Sequence, residues 1–179
     1  MSDYEGRIRS WIEQVIVGHN FCPFAKNELG EERVRFSVCG ECDKEKILNT
    51  VIDECQFLDL NPDTETTLII FSKGLRNFDQ FLNLVELADE LMSLQGYEGV
   101  YQLATFHPDY CFAGLDVSDA ANFTNRSPYP VLHLIREQSL EQALQNYPEP
   151  ELIPENNIRL AREKGAGYFQ NLLITLKKQ

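Results

Sequence analysis

The sequence lacks any long apolar run. None of its apolar stretches approaches the roughly 20 residues that a membrane-spanning helix needs. The first ten residues, MSDYEGRIRS, also lack the succession of basic, apolar and small residues that marks a secretory signal. We therefore expect a cytoplasmic protein that has no membrane partner.

Basic residues are scarce. The 179-residue chain carries 16 lysines and arginines against 28 aspartates and glutamates, so its formal net charge is −12 and its pI is about 4.6. Proteins that bind nucleic acids neutralise the phosphates with lysine and arginine. We therefore expect no nucleic-acid partner, and we attribute the negative charge to solubility.

The common catalytic signatures are missing as well. The sequence contains no GxGxxG, P-loop, GxSxG or HExxH motif, which excludes the standard nucleotide-binding, hydrolase and metalloprotease classes. Cys39 and Cys42 form a C-x-x-C pair, but a structural zinc site needs four ligands and no second pair follows. The five cysteines are odd in number, as is typical of free thiols in a reducing compartment. The cofactor, if any, stays unknown.

Strands alternating with helices are what the sequence does contain. Runs of alternating or β-branched apolar residues predict strands at 34–38, 66–71, 100–106 and 131–135. Apolar residues at helical spacing predict five helices, placed at 4–17, at about 43–58, and after the capping residues Asn77, Ser139 and Asn156.

This order predicts the α/β fold class. We expect one globular domain, residues 1–179, with a mixed, partly parallel sheet of about four or five strands that is packed with helices. The last predicted strand follows another strand directly, and this is why we expect a mixed sheet. The oligomeric state is left open.

The stretch Thr105–Glu137 is the most unusual part of the chain. Between Phe106 and Val131 it shows neither a helical nor a strand period. Compact domains rarely keep so long a connection unless it is functional or disordered. Aromatic residues such as Tyr110 and Phe123 argue against disorder. We therefore interpret it as an ordered loop that forms a site.

Two residues are candidates for catalysis. Cys22 lies in a loop after the first helix, near His19 and Lys26, and positive neighbours lower the pKa of a thiol and so favour a nucleophilic thiolate. His107 ends a predicted strand and is a candidate general base. The alternatives are a buried structural cysteine and a surface histidine bonded to its own loop.

Polar side chains near these motifs are candidates for substrate binding: Asn20, Lys26, Asn125, Arg126, Arg136 and His133. Arg126 offers a planar fork that matches phosphate or carboxylate. The alternative is that Arg126 pairs with one of the many acidic side chains. His133 alternates with Leu132 and Leu134 along a strand, so it equally fits a histidine satisfied on a sheet face.

A metal site is an alternative use of the same residues. The sequence offers two short pairs of ligands, His19 with Cys22 and His107 with Cys111. Together they would make a tetrahedral zinc site, in which Asp109 or His133 is a substitute for one of the four ligands. The two pairs lie far apart in sequence, and our main interpretation has no metal.

Three motifs carry a resemblance to a family. NFCPFAK at 20–26, TFHPDYCFAG at 105–114 and ANFTNRSPYPVLHLIRE at 121–137 resemble the bacterial family catalogued as domain of unknown function 1415. The resemblance brings no assigned activity. His19 and Cys111 stand where the family pattern has leucine and glutamine, which weakens the zinc alternative. The other candidates match the family motifs: Cys22, Lys26, His107, Asn125, Arg126, His133 and Arg136.

Two hypotheses for function follow. In the first, the protein is an enzyme that transfers or hydrolyses an acyl or phosphoryl group of a small anionic substrate, with Cys22 and His107 reacting and Arg126 binding the anion. In the second, the protein is a non-catalytic module, and the same loop binds an anionic metabolite or a partner peptide. The sequence leaves open whether the protein is an enzyme.

Overall fold

A four-stranded sheet forms the centre of the fold, which a computed structural model describes for residues 3–178. The strands are β1 Val34–Cys39, β2 Thr66–Phe71, β3 Tyr101–Phe106 and β4 Val131–Arg136. Their order across the sheet is β1–β2–β4–β3. β1 and β2 run parallel, whereas β4 is antiparallel to both β2 and β3. The predicted α/β class with a mixed, partly parallel sheet is confirmed.

Seven α-helices surround this sheet within the described residues. They are α1 Tyr4–Trp11, α2 Ala25–Gly30, α3 Lys44–Leu60, α4 Phe78–Leu94, α5 Glu137–Gln145, α6 Ile153–Lys164 and α7 Ala166–Lys178. A π-helix, Ile12–Val17, continues α1, and two 3-10 helices lie at Ala120–Thr124 and Pro150–Leu152. Each described helix is too short or too polar to span a lipid bilayer.

Helices cover both faces of the sheet. Neighbouring residues of a strand point to opposite faces, so each strand contributes side chains to both cores. Ile69 and Leu132 pack with α3 and α4 on the first face. Leu68, Ile70 and Val131 pack on the second face with α1, the π-helix, α6 and α7. This double cover explains why all six residues of β2 are buried and why its sequence is continuously apolar or β-branched.

Local capping determines where several helices begin. The side chain of Asn77 accepts a hydrogen bond from the backbone N–H of Gln80, at 2.9 Å, and starts α4 as predicted. Asp43 caps α3 in the same way through the N–H of Lys46, at 3.1 Å. These caps satisfy backbone donors that the first helical turn leaves without partners.

Two predicted helix starts are wrong. α5 begins at Glu137, directly after β4, so Ser139 lies inside the helix and does not cap it. α6 begins at Ile153, with Pro154 in its first turn, where a missing N–H costs nothing. Asn156 therefore lies inside α6. The single last helix is in fact two, because Gly165 has a φ of +84° and separates α6 from α7.

Candidate functional site

A cavity of about 550 Å³ lies against the second face of the sheet. We call it the sheet cavity. Its floor comes from all four strands, and its walls come from α1, the π-helix, α2 and α5. The lining side chains are Trp11, Ile12, Ile16, Cys22, Phe24, Ala25, Glu28, Leu29, Val34, Glu65, Thr66, Leu68, Ala104, Phe106, His133, Ile135, Ser139, Leu140, Gln142, Ala143 and Asn146.

The walls of the sheet cavity are mainly apolar. Trp11 contacts Phe106 edge-on, with ring centroids 5.0 Å apart, and the two rings form one end of the wall. No lysine or arginine is among the described lining residues. The cavity lining includes two carboxylates, Glu28 and Glu65. Glu28 forms a two-point ion pair with Arg33, at 2.9 and 3.0 Å. The cavity therefore suits an uncharged, largely apolar molecule.

One polar pair lies on the floor of the sheet cavity. His133 of β4 and Thr66 of β2 are diagonal neighbours on the same face, because Thr66 pairs with Ile135 in the strand register. Nε2 of His133 lies 2.6 Å from the hydroxyl oxygen of Thr66. The same hydroxyl donates to the backbone carbonyl of Leu134. His133 thus lines a cavity and is also bonded within the sheet. Both sequence interpretations of this residue, ligand contact and satisfied sheet-face histidine, therefore stay open.

The protonation of His133 follows from its surroundings. Burial lowers the pKa of His133 to about 4 from an ordinary value of 6.5, because the charged imidazolium would lose its hydration. The ring is therefore neutral near pH 7. A neutral imidazole carries one N–H donor and one lone-pair acceptor, so its two nitrogens make different contacts.

Cys22 also lines the sheet cavity, beside the start of α2. Burial raises the pKa of the Cys22 thiol above its ordinary value of 9.0, and the nearby Glu28 carboxylate adds to the rise. Hydrogen bonds from the backbone N–H groups of Phe24 and Ala25 oppose the rise but do not reverse it. The thiol thus stays protonated near neutral pH, which makes it a poor nucleophile.

His107 is fully buried and lies on the other side of the sheet from Cys22. Its ring packs on Phe78 and Phe81 of α4, with centroid distances of 5.2 and 5.1 Å. Nε2 bonds to the carbonyl of Leu75 at 2.9 Å, and Nδ1 accepts from the N–H of Asp109 at 3.0 Å. Burial lowers the pKa of His107. Since backbone groups occupy both nitrogens, the ring fixes the start of the loop.

Arg126 lies in the loop between β3 and β4, directly after Asn125, whose carbonyl accepts from the backbone N–H of His107 at 3.2 Å. Its guanidinium packs on the ring of Phe123, 4.6 Å from the centroid, and donates to the carbonyls of Tyr110 and Val117 at 3.0 and 2.8 Å. It lines a second cavity of about 440 Å³, which we call the Arg126 groove. Lys177 of α7 also lines this groove. Cys22 and Arg126 thus line different cavities, and His107 lines neither of them.

The loop between β3 and β4 is ordered by buried polar anchors, as its aromatic content predicts. Asn122 is fully buried; its side chain accepts from the N–H of Phe112 at 3.0 Å and donates to the carbonyl of Asp116 at 2.9 Å. Asn125 donates to the carbonyl of Thr105 at 3.1 Å. The loop lines the Arg126 groove, but not the sheet cavity.

The remaining predicted binding residues point elsewhere. Arg136 donates to the carbonyls of Leu58 and Thr64, at 2.6 and 3.0 Å, and so holds the connection between α3 and β2. Lys26 is exposed on α2 and is not among the described cavity-lining residues. Asn20 has a φ of +54° and shapes the turn before Cys22. None of the three lines either cavity.

The four alternative metal ligands are not brought together. His19 bonds through Nδ1 to the carbonyl of Val15 at 3.0 Å and through Nε2 to the hydroxyl of Tyr168 at 3.2 Å. The thiol of Cys111 lies 3.5 Å from the carbonyl of Leu115. Across residues 3–178, no group of three or more histidine, cysteine, aspartate or glutamate side chains is arranged to hold a metal ion.

Sequence reasoning missed Thr66 and the sheet cavity itself. The sequence predicts Thr66 only as the first residue of a buried strand. A signal was available in its chemistry, because a threonine in a buried strand brings a hydroxyl that needs a hydrogen-bond partner. That partner, His133, is 67 residues away along the chain, and strand order alone brings the two together.

Comparison with known proteins identifies the family and nothing further. The family model described as "Protein of unknown function (DUF1415)" matches residues 3–171. The match spans nearly the whole chain, so the protein belongs to this family, and the resemblance seen in its motifs is confirmed. No curated protein and no solved structure matches the chain.

Proposed function

We propose that this member of the family binds an uncharged, mainly apolar small molecule in the sheet cavity. The observation that carries the proposal is an apolar cavity of about 550 Å³ whose floor holds one polar pair, Thr66 and His133. Ligand sites typically combine such a volume with apolar walls and a few polar groups that fix orientation.

Catalysis by Cys22 is not part of this proposal. Its thiol has a raised pKa, and neither the base nor the anion-binding arginine expected from the sequence lines the sheet cavity. Binding needs none of these groups. It needs only the apolar walls, which the surrounding helices supply, and the polar floor, which the sheet supplies.

We place this binding in the cytoplasm as part of the proposal. All five cysteines are free thiols, and two of them, Cys39 and Cys55, are buried in the core of the first face. Free thiols in this number persist in a reducing compartment.

The test uses a neutral fluorescent probe, N-phenyl-1-naphthylamine, which becomes brighter in apolar surroundings. Trp11 is the single tryptophan of the chain and lines the cavity, so probe bound there should emit when Trp11 is excited. Ala143→Phe on α5 should fill part of the cavity and weaken probe binding at least tenfold. The matched control is Ala113→Phe at an exposed loop position, which should leave binding unchanged.

Two results would overturn the proposal. One is the absence of energy transfer from Trp11 to the bound probe, which would place the probe elsewhere. The other is equal probe affinity in the wild type and in the Ala143→Phe variant, provided that the circular dichroism of both is the same.

The Arg126 groove supports a second candidate function, the binding of a small anion. Arg126 and Lys177 line it together with a single carboxylate, Asp109, in a chain whose net charge is −12. Inorganic phosphate should raise the melting temperature of the wild type, and Lys177→Gln should remove this rise. Lys178→Gln, at the neighbouring exposed position, is the control. An equal rise in all three proteins would reject the groove as the anion site.

A further inference from the structure

The hydroxyl of Thr66 determines which nitrogen of His133 carries the proton. A hydroxyl has one hydrogen, and that of Thr66 points at the carbonyl of Leu134, a group that only accepts. The Thr66 oxygen must therefore act as the acceptor toward His133, whose Nε2 lies 2.6 Å away. The proton of the neutral imidazole consequently sits on Nε2.

The other nitrogen of His133, Nδ1, is left as an acceptor. It has no hydrogen-bond partner among residues 3–178. The side chain of His133 is partly exposed and lines the sheet cavity, so a ligand bound there can reach the ring.

We propose that Nδ1 of His133 selects ligands that carry a hydrogen-bond donor, such as an alcohol, a phenol or an amide N–H, over ligands that only accept. The proposal rests on the proposed binding in the sheet cavity and specifies its ligand class. Thr66 is a positioning residue, because it acts on the ligand through the tautomer of His133. A ligand that offers only an ether or ketone oxygen would face the lone pair of Nδ1 and gain no hydrogen bond from it.

Carboxylates are disfavoured for the same reason and for a second one. An ionised carboxylate is an acceptor only, and the Nδ1 acceptor would oppose it. Glu28 and Glu65 also line the cavity, and the neutral His133 offers no compensating charge. The sheet cavity thus selects against the anionic ligands that the sequence suggested, which fit the Arg126 groove instead.

The experiment compares two ligands that differ in one methyl group, 2-naphthol and 2-methoxynaphthalene. Their affinities are measured by equilibrium dialysis below the pKa of the naphthol. The wild type should bind 2-naphthol about three- to tenfold more tightly, as one net hydrogen bond predicts. In His133→Phe, which keeps the ring but has no acceptor, the preference should disappear while 2-methoxynaphthalene still binds.

Thr66 variants test the tautomer itself. In ¹⁵N spectra of protein labelled at its three histidines, Nδ1 of His133 should appear at the position of an unprotonated nitrogen. Thr66→Val should shift this signal toward an average of the two tautomers and reduce the 2-naphthol preference. Thr66→Ser, which keeps the hydroxyl, should restore both.

These measurements distinguish donor selection by His133 from ligand binding in the sheet cavity. Equal binding of both naphthalenes by the wild type, or a protonated Nδ1 in the spectra, would overturn the donor selection and leave the cavity as a binding site. Failure of both naphthalenes to bind would remove the binding function and the selection with it. A stronger affinity for 2-methoxynaphthalene would likewise overturn the donor selection.

Discussion

Nε2 of His133 and the hydroxyl oxygen of Thr66 lie 2.6 Å apart, although the two residues are 67 positions apart along the chain. The bond joins β4 to β2 on the face that the sheet cavity occupies. It therefore has two consequences that can be measured separately. It should stabilise the fold, and it should determine how His133 responds to protons.

Replacing Thr66 with valine should destabilise the protein. Valine has the same shape but leaves the Nε2–H of His133 without an acceptor, and an unsatisfied buried donor costs roughly 1–3 kcal/mol. Urea denaturation should show this loss in the free energy of unfolding. Thr66→Ser keeps the acceptor and removes one methyl group, so its loss should stay near 1 kcal/mol. Equal losses in the two variants would mean that the hydroxyl contributes nothing.

Stability should fall in mild acid because of His133. The pKa of His133 is lowered to about 4 in the folded protein, against 6.5 for an ordinary histidine, so between these values the unfolded chain binds more protons. Stability is therefore full above about pH 6.5 and is lost as the pH falls toward 4, by as much as about 3 kcal/mol. The free energy of unfolding is measured by urea denaturation at several pH values for the wild type and for His133→Phe. The difference between the two curves removes the contribution of the carboxylates, Glu28 and Glu65 included. A flat difference curve would contradict the lowered pKa.

Cys22 should be slow to alkylate. Burial raises the pKa of its thiol above 9.0, so little thiolate is present near neutral pH. Iodoacetamide labelling followed by peptide mapping gives the rate at each cysteine. Cys42 is exposed and serves as the control within the same molecule; it should react at least tenfold faster. If Cys22 reacted faster than Cys42, the nucleophile expected from the sequence would return as the leading hypothesis.

Arg136 should matter for stability and not for binding. Its guanidinium donates to the carbonyls of Leu58 and Thr64, and Arg136 itself lines neither cavity. Arg136→Met should lower the free energy of unfolding by roughly 2–4 kcal/mol, because several carbonyls lose their donor. Arg159→Met, which removes an exposed ion pair with Glu163, should cost under about 0.5 kcal/mol. A tenfold change in probe affinity in Arg136→Met would instead support the substrate role predicted from the sequence.

The elements of this fold were predictable because their signals are local. The alternation in β1, the buried run of β2 and the Asn77 cap of α4 each depend on residues close together in sequence. The starts of α5 and α6 were predicted wrongly because Ser139 and Asn156 are residue types that often cap helices. The real start of α5 is set by β4 turning directly into the helix, and that of α6 by a proline in its first turn.

The site was less predictable because it depends on strand order. Alternation shows that His133 shares a face with Val131 and Ile135, but it does not show that β4 lies beside β2. Without that neighbour, Thr66 has no visible role and the sheet cavity has no floor. The candidates Cys22 and His107 failed to meet for the same reason, because sequence does not determine on which side of the sheet each loop returns.

The position of β4 also bears on how the protein is made. β4 is the last strand to be synthesised, yet it lies between β2 and β3. Until residues 131–136 have left the ribosome, β2 has a free edge on one side and β3 has no partner strand at all. Such edges pair readily with other chains. A message truncated before Val131 would therefore yield a chain prone to aggregate, and not a smaller version of this fold.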